Sequence, residues 1–238
     1  MQEAIHPPAR SATMLGRSAF HNSWRTMFTG LVTAVGRISH VQTLQPDAGS
    51  GLRVTVQTPA DWLRGVGLGD SICVSGACMT AVELGAESFA FDISAESLTR
   101  TTGLDALGTQ VNLEQSLTLS TKLGGHLVTG HVDGTGRVEA FEPVGESWHL
   151  AVRVPAELAR FFAYKGSITV NGVSLTVNRV DDVPDASATV HINLIPHTLQ
   201  HTNLHTLRAG RAVNLEVDLI ARYVERMLPR LPDARAAT

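Results

Sequence analysis

The sequence predicts an all-β protein of two tandem small barrels with a helix at its C-terminal end. Three observations predict it: an internal repeat of about 100 residues, short alternating apolar and polar runs broken by glycine and aspartate, and one apolar stripe at helical spacing after the second copy.

The repeat is visible in residue identity. Phe28-Thr29-Gly30 returns as Val128-Thr129-Gly130 and Gly36-Arg37 as Gly136-Arg137, each 100 residues on. Gly76-Ala77-Cys78-Met79-Thr80 returns as Gly172-Val173-Ser174-Leu175-Thr176 after 96 residues, Ser97-Leu98 as Thr198-Leu199 after 101, and Val111-Asn112-Leu113-Glu114 as Val213-Asn214-Leu215-Glu216 after 102. Small loop insertions make the offsets of a duplicated domain drift in this way, and two copies are too few for a solenoid. The spacing predicts one domain over 27–123 and a second over 124–217. Residues 218–238 read as a helix and tail. Residues 1–26 read as a disordered extension, although an Arg- and Ser-rich, acid-poor start also fits a transit peptide or a start codon placed too early.

In the first copy the strands are Leu52–Gln57, which alternates apolar and polar, then Ser71–Val74, Met79–Leu84, Phe89–Ile93 and Gln110–Glu114. Turn signals such as Gly67-Leu68-Gly69-Asp70 separate them. The second copy repeats the series with His149–Val154, Ser167–Val170, Leu175–Val180, Thr189–Leu194 and Ala212–Val217. About six strands in each copy suggest a closed barrel, which leaves no exposed sheet edge. Pro59–Arg64 and Pro155–Ala163 read as short helices opened by proline. Ile220, Val224, Met227 and Leu228 form the apolar stripe of a last helix, Asp218–Leu228.

Composition excludes several classes. Hydrophobic residues are 43% and charged residues 17%, so the chain is neither disordered nor fibrous. A net charge of −3 gives no electrostatic reason for nucleic acid or anionic membrane as partner. No apolar run approaches the roughly 20 residues that span a bilayer. Two cysteines are too few for a secreted disulfide scaffold, which fits a reducing, cytoplasmic setting.

Candidate chemistry is sparse. Cys73 and Cys78 are not a CxxC pair and have no further cysteine to complete a zinc site. Cys73 reads as a small buried hydrophobe. Cys78 follows a glycine turn and is answered by Ser174, so its position favours a small polar or nucleophilic group. His131 lies among glycines that let backbone approach a ligand, whereas His126 reads as an ordinary hydrogen-bonded histidine. Asp92, Glu96, Glu114, Glu216 and Asp218 stand at strand ends, where solvated acids are ordinary. No phosphate loop, dinucleotide fingerprint or nucleophile elbow is present.

Taken together, Met27-Phe28-Thr29-Gly30-Leu31-Val32, Gly69-Asp70-Ser71, Cys78-Met79-Thr80, Gly124-Gly125-His126-Leu127-Val128-Thr129-Gly130-His131-Val132, Lys165-Gly166-Ser167, Asn171-Gly172-Val173-Ser174-Leu175-Thr176 and Ile195-Pro196-His197-Thr198-Leu199 resemble riboflavin synthase of the duplicated lumazine-binding type. The resemblance runs from Met27 to about Leu228. It implies two six-stranded Greek-key barrels and a homotrimer supported by the C-terminal helix. The implied reaction is cofactor-free: two 6,7-dimethyl-8-ribityllumazine molecules exchange a four-carbon unit, giving riboflavin and 5-amino-6-(D-ribitylamino)uracil. Lumazine synthase is an implied partner.

The resemblance also implies site residues, with each active site between the N-terminal barrel of one subunit and the C-terminal barrel of another. One lumazine is expected against Gly30, Leu31, Val32, Cys78, Met79, Thr80, Asp92, Ile93, Ser94, Ala95, Glu96 and Ser97. The other is expected against Gly130, His131, Val132, Lys165, Ser174, Leu175, Thr176, Asn193, Leu194, Ile195, Pro196, His197 and Thr198. The implied catalytic residues are Phe28, Ser71, Cys78, His131, Ser174, Thr176 and Asp218. Proton transfer from the substrate methyl would fall to His131 or Ser71. Addition to the electrophilic carbon, or orientation of water there, would fall to Cys78 or Ser174, a thiolate being the better nucleophile if its pKa is lowered. The sequence departs from the family at Ser75 and His197, where asparagine and glutamate are common, and at its start, which lies well before Met27. A non-catalytic lumazine- or flavin-binding protein of the same fold is the alternative reading.

Overall fold

The computed structural model describes residues 27–45 and 49–228; the expected extension over 1–26 and the last ten residues of the tail lie outside them. The first copy comprises β1 (Ala34–Thr43), β2 (Leu52–Gln57), β3 (Ser71–Val74), β4 (Ala77–Thr80), β5 (Glu83–Leu84), β6 (Ser88–Ile93), α1 (Ala95–Arg100) and β7 (Gln110–Gln115). The second comprises β8 (Gly134–Val144), β9 (Ser147–Val154), α2 (Ala156–Ala159), β10 (Ser167–Val170), β11 (Val173–Asp182), β12 (Ala188–Leu194), α3 (Pro196–His201) and β13 (Ala212–Val217), and α4 (Leu219–Met227) follows.

The second copy is a closed six-stranded antiparallel barrel, ordered β10-β11-β12-β9-β8-β13. The first has the same order, β4-β3-β7-β1-β2-β6-β5, but its ladder is not closed. The strand expected over Met79–Leu84 is broken at Ala81-Val82. Ala81 N donates to Asp70 O, and Val82 N returns to Ala90 O. The second copy bends at the equivalent place without a break, with a bulge between Val177 and Arg179. The closed six-stranded barrel expected of both copies is thus found in the second alone, and the first is an open seven-stranded sheet.

Alternation places each core. Ile72, Val74 and Met79 point inward with Phe89, Phe91, Ile93, Val111 and Leu113, while Ile168 and Val170 join Leu150, Val152, Val190, Ile192 and Leu215. The opposite face of the β3–β4 hairpin carries Ser71, Cys73, Cys78 and Thr80, for Ser71 pairs with Thr80 and Cys73 with Cys78. The β10–β11 hairpin presents Ser167, Thr169, Ser174 and Thr176 in the same register. The turn between the cysteines settles their geometry. Ser75 (φ 44°) and Gly76 (φ 92°) make a tight hairpin turn of left-handed residues, so the two cysteines lie directly opposite on one face.

Helices depart most from expectation. Pro59–Arg64 forms only turns, because Asp61 sits at φ 60° and Gly65 at φ 87°. After Pro155 the helix lasts just Ala156–Ala159 before i to i+3 turns replace it. Two helices were not expected. Ser94 Oγ accepts from Ser97 N to cap α1, and α3 opens on Pro196. Among the described residues no helix is long and apolar enough to cross a membrane.

Candidate active site

The two copies meet about a local two-fold axis, and they exchange their first segments there. Phe28 N donates to Val128 O at 2.7 Å and Val128 N to Phe28 O at 3.1 Å. Ser174 N then donates to Gly30 O, and Cys78 N to Gly130 O, each at 2.8 Å. Both glycines are left-handed. A Cβ on Gly30 would lie 2.6 Å from Ser174 Cβ, and one on Gly130 would lie 2.7 Å from Cys78 Cβ. Val32 accordingly packs on the core of the second barrel, and Val132 on that of the first.

This corrects the grouping implied by the resemblance. Gly30, Leu31 and Val32 do not join Cys78 but stand beside Ser174; Gly130, His131 and Val132 stand beside Cys78. Sequence order could not reveal the exchange, because the pairing is set across the axis. A cleft of about 430 Å³ results, lined by Cys78, Met79, Glu96, Ser97 and the segment Gly130 to Asp133.

Buried carboxylates fix the exchanged segments. Glu114 accepts from Thr29 N and Oγ1, both at 2.7 Å, and from Gly30 N at 2.9 Å. Glu216 repeats the set with Thr129 N and Oγ1 at 2.7 Å and Gly130 N at 3.0 Å. These acids were expected at solvated strand ends, but they are 6% and 2% exposed. Burial raises both pKa values, and the hydrogen bonds from threonine and glycine only partly offset it. An acid whose pKa is raised on folding favours the folded state most where it is protonated in both states. That contribution is lost as pH rises from the unfolded carboxylate range through the folded values. The stability difference between the wild type and Glu114→Gln/Glu216→Gln is therefore expected to shift in favour of the variant as pH rises from 4 to 8. Denaturant titrations read this directly, and a shift in the opposite direction refutes it.

The two sites differ chemically. Cys78 is half-buried and its thiol pKa is raised by burial, with Ser71 pulling the other way through a hydrogen bond. The condition for a thiolate nucleophile, a lowered pKa, is therefore not met at Cys78. At the equivalent position, Ser174 Oγ lies 2.7 Å from His126 Nδ1, and His126 Nε2 lies 3.2 Å from Thr169 Oγ1. Either neutral tautomer satisfies both contacts: Ser174 donates to Nδ1 while Nε2–H donates to Thr169, or Nδ1–H donates to Ser174 while Thr169 donates to Nε2. Burial lowers the His126 pKa, with the Asp218 carboxylate opposing it, so the ring is a neutral acceptor near pH 7. His126, read from sequence as an ordinary histidine, thus belongs to the site. Its close contact with Ser174 is long-range and carries no spacing signal.

The remaining expected residues divide. Glu96 and Ser97 line the cleft from α1, and their counterparts His197 and Thr198 sit on α3, His197 stacked on His201 at 4.1 Å. Asp218 caps α4 by accepting from Ile220 N. Phe28 is fully buried against Cys73 and Val128 and is not among the residues lining the cleft beside Cys78, so it braces the axis. Asp92 faces outward, held by Arg53 at 2.7 and 2.9 Å, while Ile93 is in the core and Ser94 caps α1 with Ala95 behind it. Asn193 likewise faces outward, accepting from Ser147 Oγ, and Leu194 is in the core. Ile195 caps α3 at Pro196. Lys165 adopts φ 63° where the first copy has Gly69, and its ammonium lies over Tyr164. Leu31, Thr80 and Thr176 are exposed, while Leu175 packs partly on the second core.

Comparison with known proteins agrees with this duplicated architecture. The lumazine binding domain matches residues 29–116 and again 129–218. The riboflavin synthase of Photobacterium phosphoreum is 39% identical over 203 residues, 85% of this chain and 89% of that protein. That of Mycobacterium tuberculosis (strain ATCC 25618 / H37Rv) is 40% identical over 208 residues, 85% of this chain and 98% of that protein. Among solved structures, LumP complexed with 6,7-dimethyl-8-(1'-D-ribityl) lumazine aligns with a TM-score of 0.68 at 26% identity, over 80% of this chain and 98% of that one. LumP complexed with riboflavin aligns with the same TM-score at 28% identity. Two matched domains, and relatives of this identity along most of their length, show that the chain belongs to the riboflavin synthase family.

Proposed function

We propose that the chain is a transferase that converts two molecules of 6,7-dimethyl-8-ribityllumazine into riboflavin and 5-amino-6-(D-ribitylamino)uracil. The observation that carries this reading is the pair of equivalent but chemically distinct positions, Cys78 beside Gly130 and Ser174 beside Gly30. One ligand bound twice needs two related pockets. A dismutation also needs one copy to donate carbons and the other to accept them, which the differences between the pockets supply. Holding both heterocycles together replaces a rare encounter with an intramolecular step, worth at most about 7–11 kcal/mol.

His126 takes the Ser174 proton as that hydroxyl, or water held by it, adds to the electrophilic ring carbon of one lumazine. Cys78, with a protonated thiol, orients the second lumazine or gives up a proton there. His131 lies at the mouth of the same cleft, placed to accept the methyl proton. The substrate ring stores the electrons, so the protein's part is proximity and proton traffic.

The apolar stripe of α4 supports a homotrimer. Ile220, Val224 and Met227 are respectively 63%, 50% and 82% exposed, which isolated chains rarely tolerate on one helix face. We place each active site between the Cys78 cleft of one subunit and the Ser174 side of another.

The test is to mix the purified protein with 6,7-dimethyl-8-ribityllumazine alone and follow riboflavin absorbance. Riboflavin should appear without any cofactor added, and tight lumazine binding without riboflavin would establish the non-catalytic reading instead. Cys78→Ala should lower kcat on the order of 10²-fold while lumazine affinity changes less than threefold, the pattern of a group that acts in the transition state. Unchanged kcat removes Cys78 from the chemistry.

A further inference from the structure

A second and larger cleft, about 710 Å³, opens on the local two-fold axis and shares no lining residue with the Cys78 cleft. Equivalent segments build its two sides: residues 102–110 lead into the start of β7, and residues 203–212 into the start of β13. Gly108 N donates to Ile38 O on one side, and Gly210 N to Val138 O on the other, both at 2.8 Å. Buried amides hold the floor. Asn112 Nδ2 donates to Asn203 Oδ1 at 2.9 Å, Asn203 Nδ2 donates to Gln110 O at 3.0 Å, and Thr102 N donates to Asn214 Oδ1 at 2.7 Å. These bonds cross between copies, so the cleft is set before any ligand arrives.

Its charge is unbalanced. Arg37 and Arg211 line it, one from each copy, and Asp105 is the one acid in the lining. Arg137, the counterpart of Arg37, brings Nη2 to 3.6 Å from the Cβ position of Gly210, and Arg208 shares a turn with Arg211. Among the described residues none of these four guanidinium groups forms an ion pair, whereas Arg53, Arg64, Arg100, Arg153, Arg160, Arg179 and Arg222 all do. Arg37 has only the carbonyl of Gly108, at 2.8 Å. Of the five described arginines without an ion pair, four thus stand at or beside one polar cleft, the fifth being Arg226 on α4, in a chain with a net charge of −3. Concave low-dielectric walls focus such a potential, and the guanidinium fork matches a phosphate dianion.

We infer that this axial cleft binds a small phosphorylated metabolite, with Arg37 and Arg211 clamping its phosphate from the two copies and the hydroxyl and amide groups of Thr102, Thr109 and Gln110 facing a polar body. Neither lumazine nor riboflavin carries a phosphate, so the ligand is not the proposed substrate and the inference stands apart from the proposed reaction.

Ribose 5-phosphate and pyrophosphate are the probes, titrated calorimetrically into the full-length protein at low and at physiological salt. Saturable binding of at least one of them at one site per chain is expected, weakened at least tenfold by Arg211→Gln and unaffected by Arg64→Gln on the first barrel. Arg211 makes no side-chain hydrogen bond among the described residues, so its loss leaves the loop intact. A rise in Tm with either probe in the wild type, absent in Arg211→Gln, gives an independent readout. No saturable binding of either probe, or equal weakening by Arg64→Gln, overturns the inference.

Discussion

Gly130→Ala is expected to lower riboflavin formation by about 100-fold while leaving a folded protein. The new methyl would sit 2.7 Å from Cys78 Cβ and 2.9 Å from Cys78 N, a separation that real Cβ atoms do not show. The β4 hairpin must retreat, stretching the 2.8 Å bond from Cys78 N to Gly130 O that aligns the cleft. Displacement of a reacting geometry by about 1 Å costs on the order of 10²-fold. Holding alanine at φ +75° adds strain of about 1–2 kcal/mol. For a chain of this size each kcal/mol lowers Tm by roughly 2–4 °C. Gly145→Ala separates the two effects, since Gly145 is also left-handed, at φ +61°, but has nothing within 4 Å of its Cβ position. It should lose a few degrees of Tm and no activity. Equal activities for the two variants would show that the exchanged contact does not shape the site.

Two inactive variants should restore each other when mixed. Ser97→Trp fills the Cys78 cleft from α1, and Thr198→Trp fills the equivalent space from α3; neither residue packs in a core. Each variant alone is expected to retain under about 1% of activity, through loss of one of the two bound substrates. If active sites form between subunits, a co-refolded equimolar mixture holds sites whose two halves are both intact. Random assortment yields these in about one case in four, so about a quarter of wild-type activity should return. Adding Val224→Asp, which puts a charge on the exposed stripe of α4, should abolish both trimer and rescue. No recovery from well-mixed oligomers would place both lumazines within one chain.

Most β strands are legible because period-two alternation and glycine turns are local signals; Ser71–Val74, Ser167–Val170 and Ala212–Val217 match their predicted limits, whereas the long β1 and β8 are not among the strands named from sequence. The duplication was legible in residue identity alone. Helices were less so, because a left-handed Asp61 or a serine cap at position 94 depends on how the neighbouring strands are joined.

The sequence by itself determined a doubled β architecture, its family and the residue types available for chemistry. Only the tertiary structure decided which of those residues meet. Two copies of one fold, packed about an axis, present each first segment to the other copy, so Gly30 finds Ser174 and Gly130 finds Cys78. Burial then decided the rest, making Glu114 and Glu216 brackets for backbone and keeping Cys78 protonated and His126 neutral. Desolvation and contact across an axis depend on three-dimensional neighbours, and no local pattern of residues encodes them.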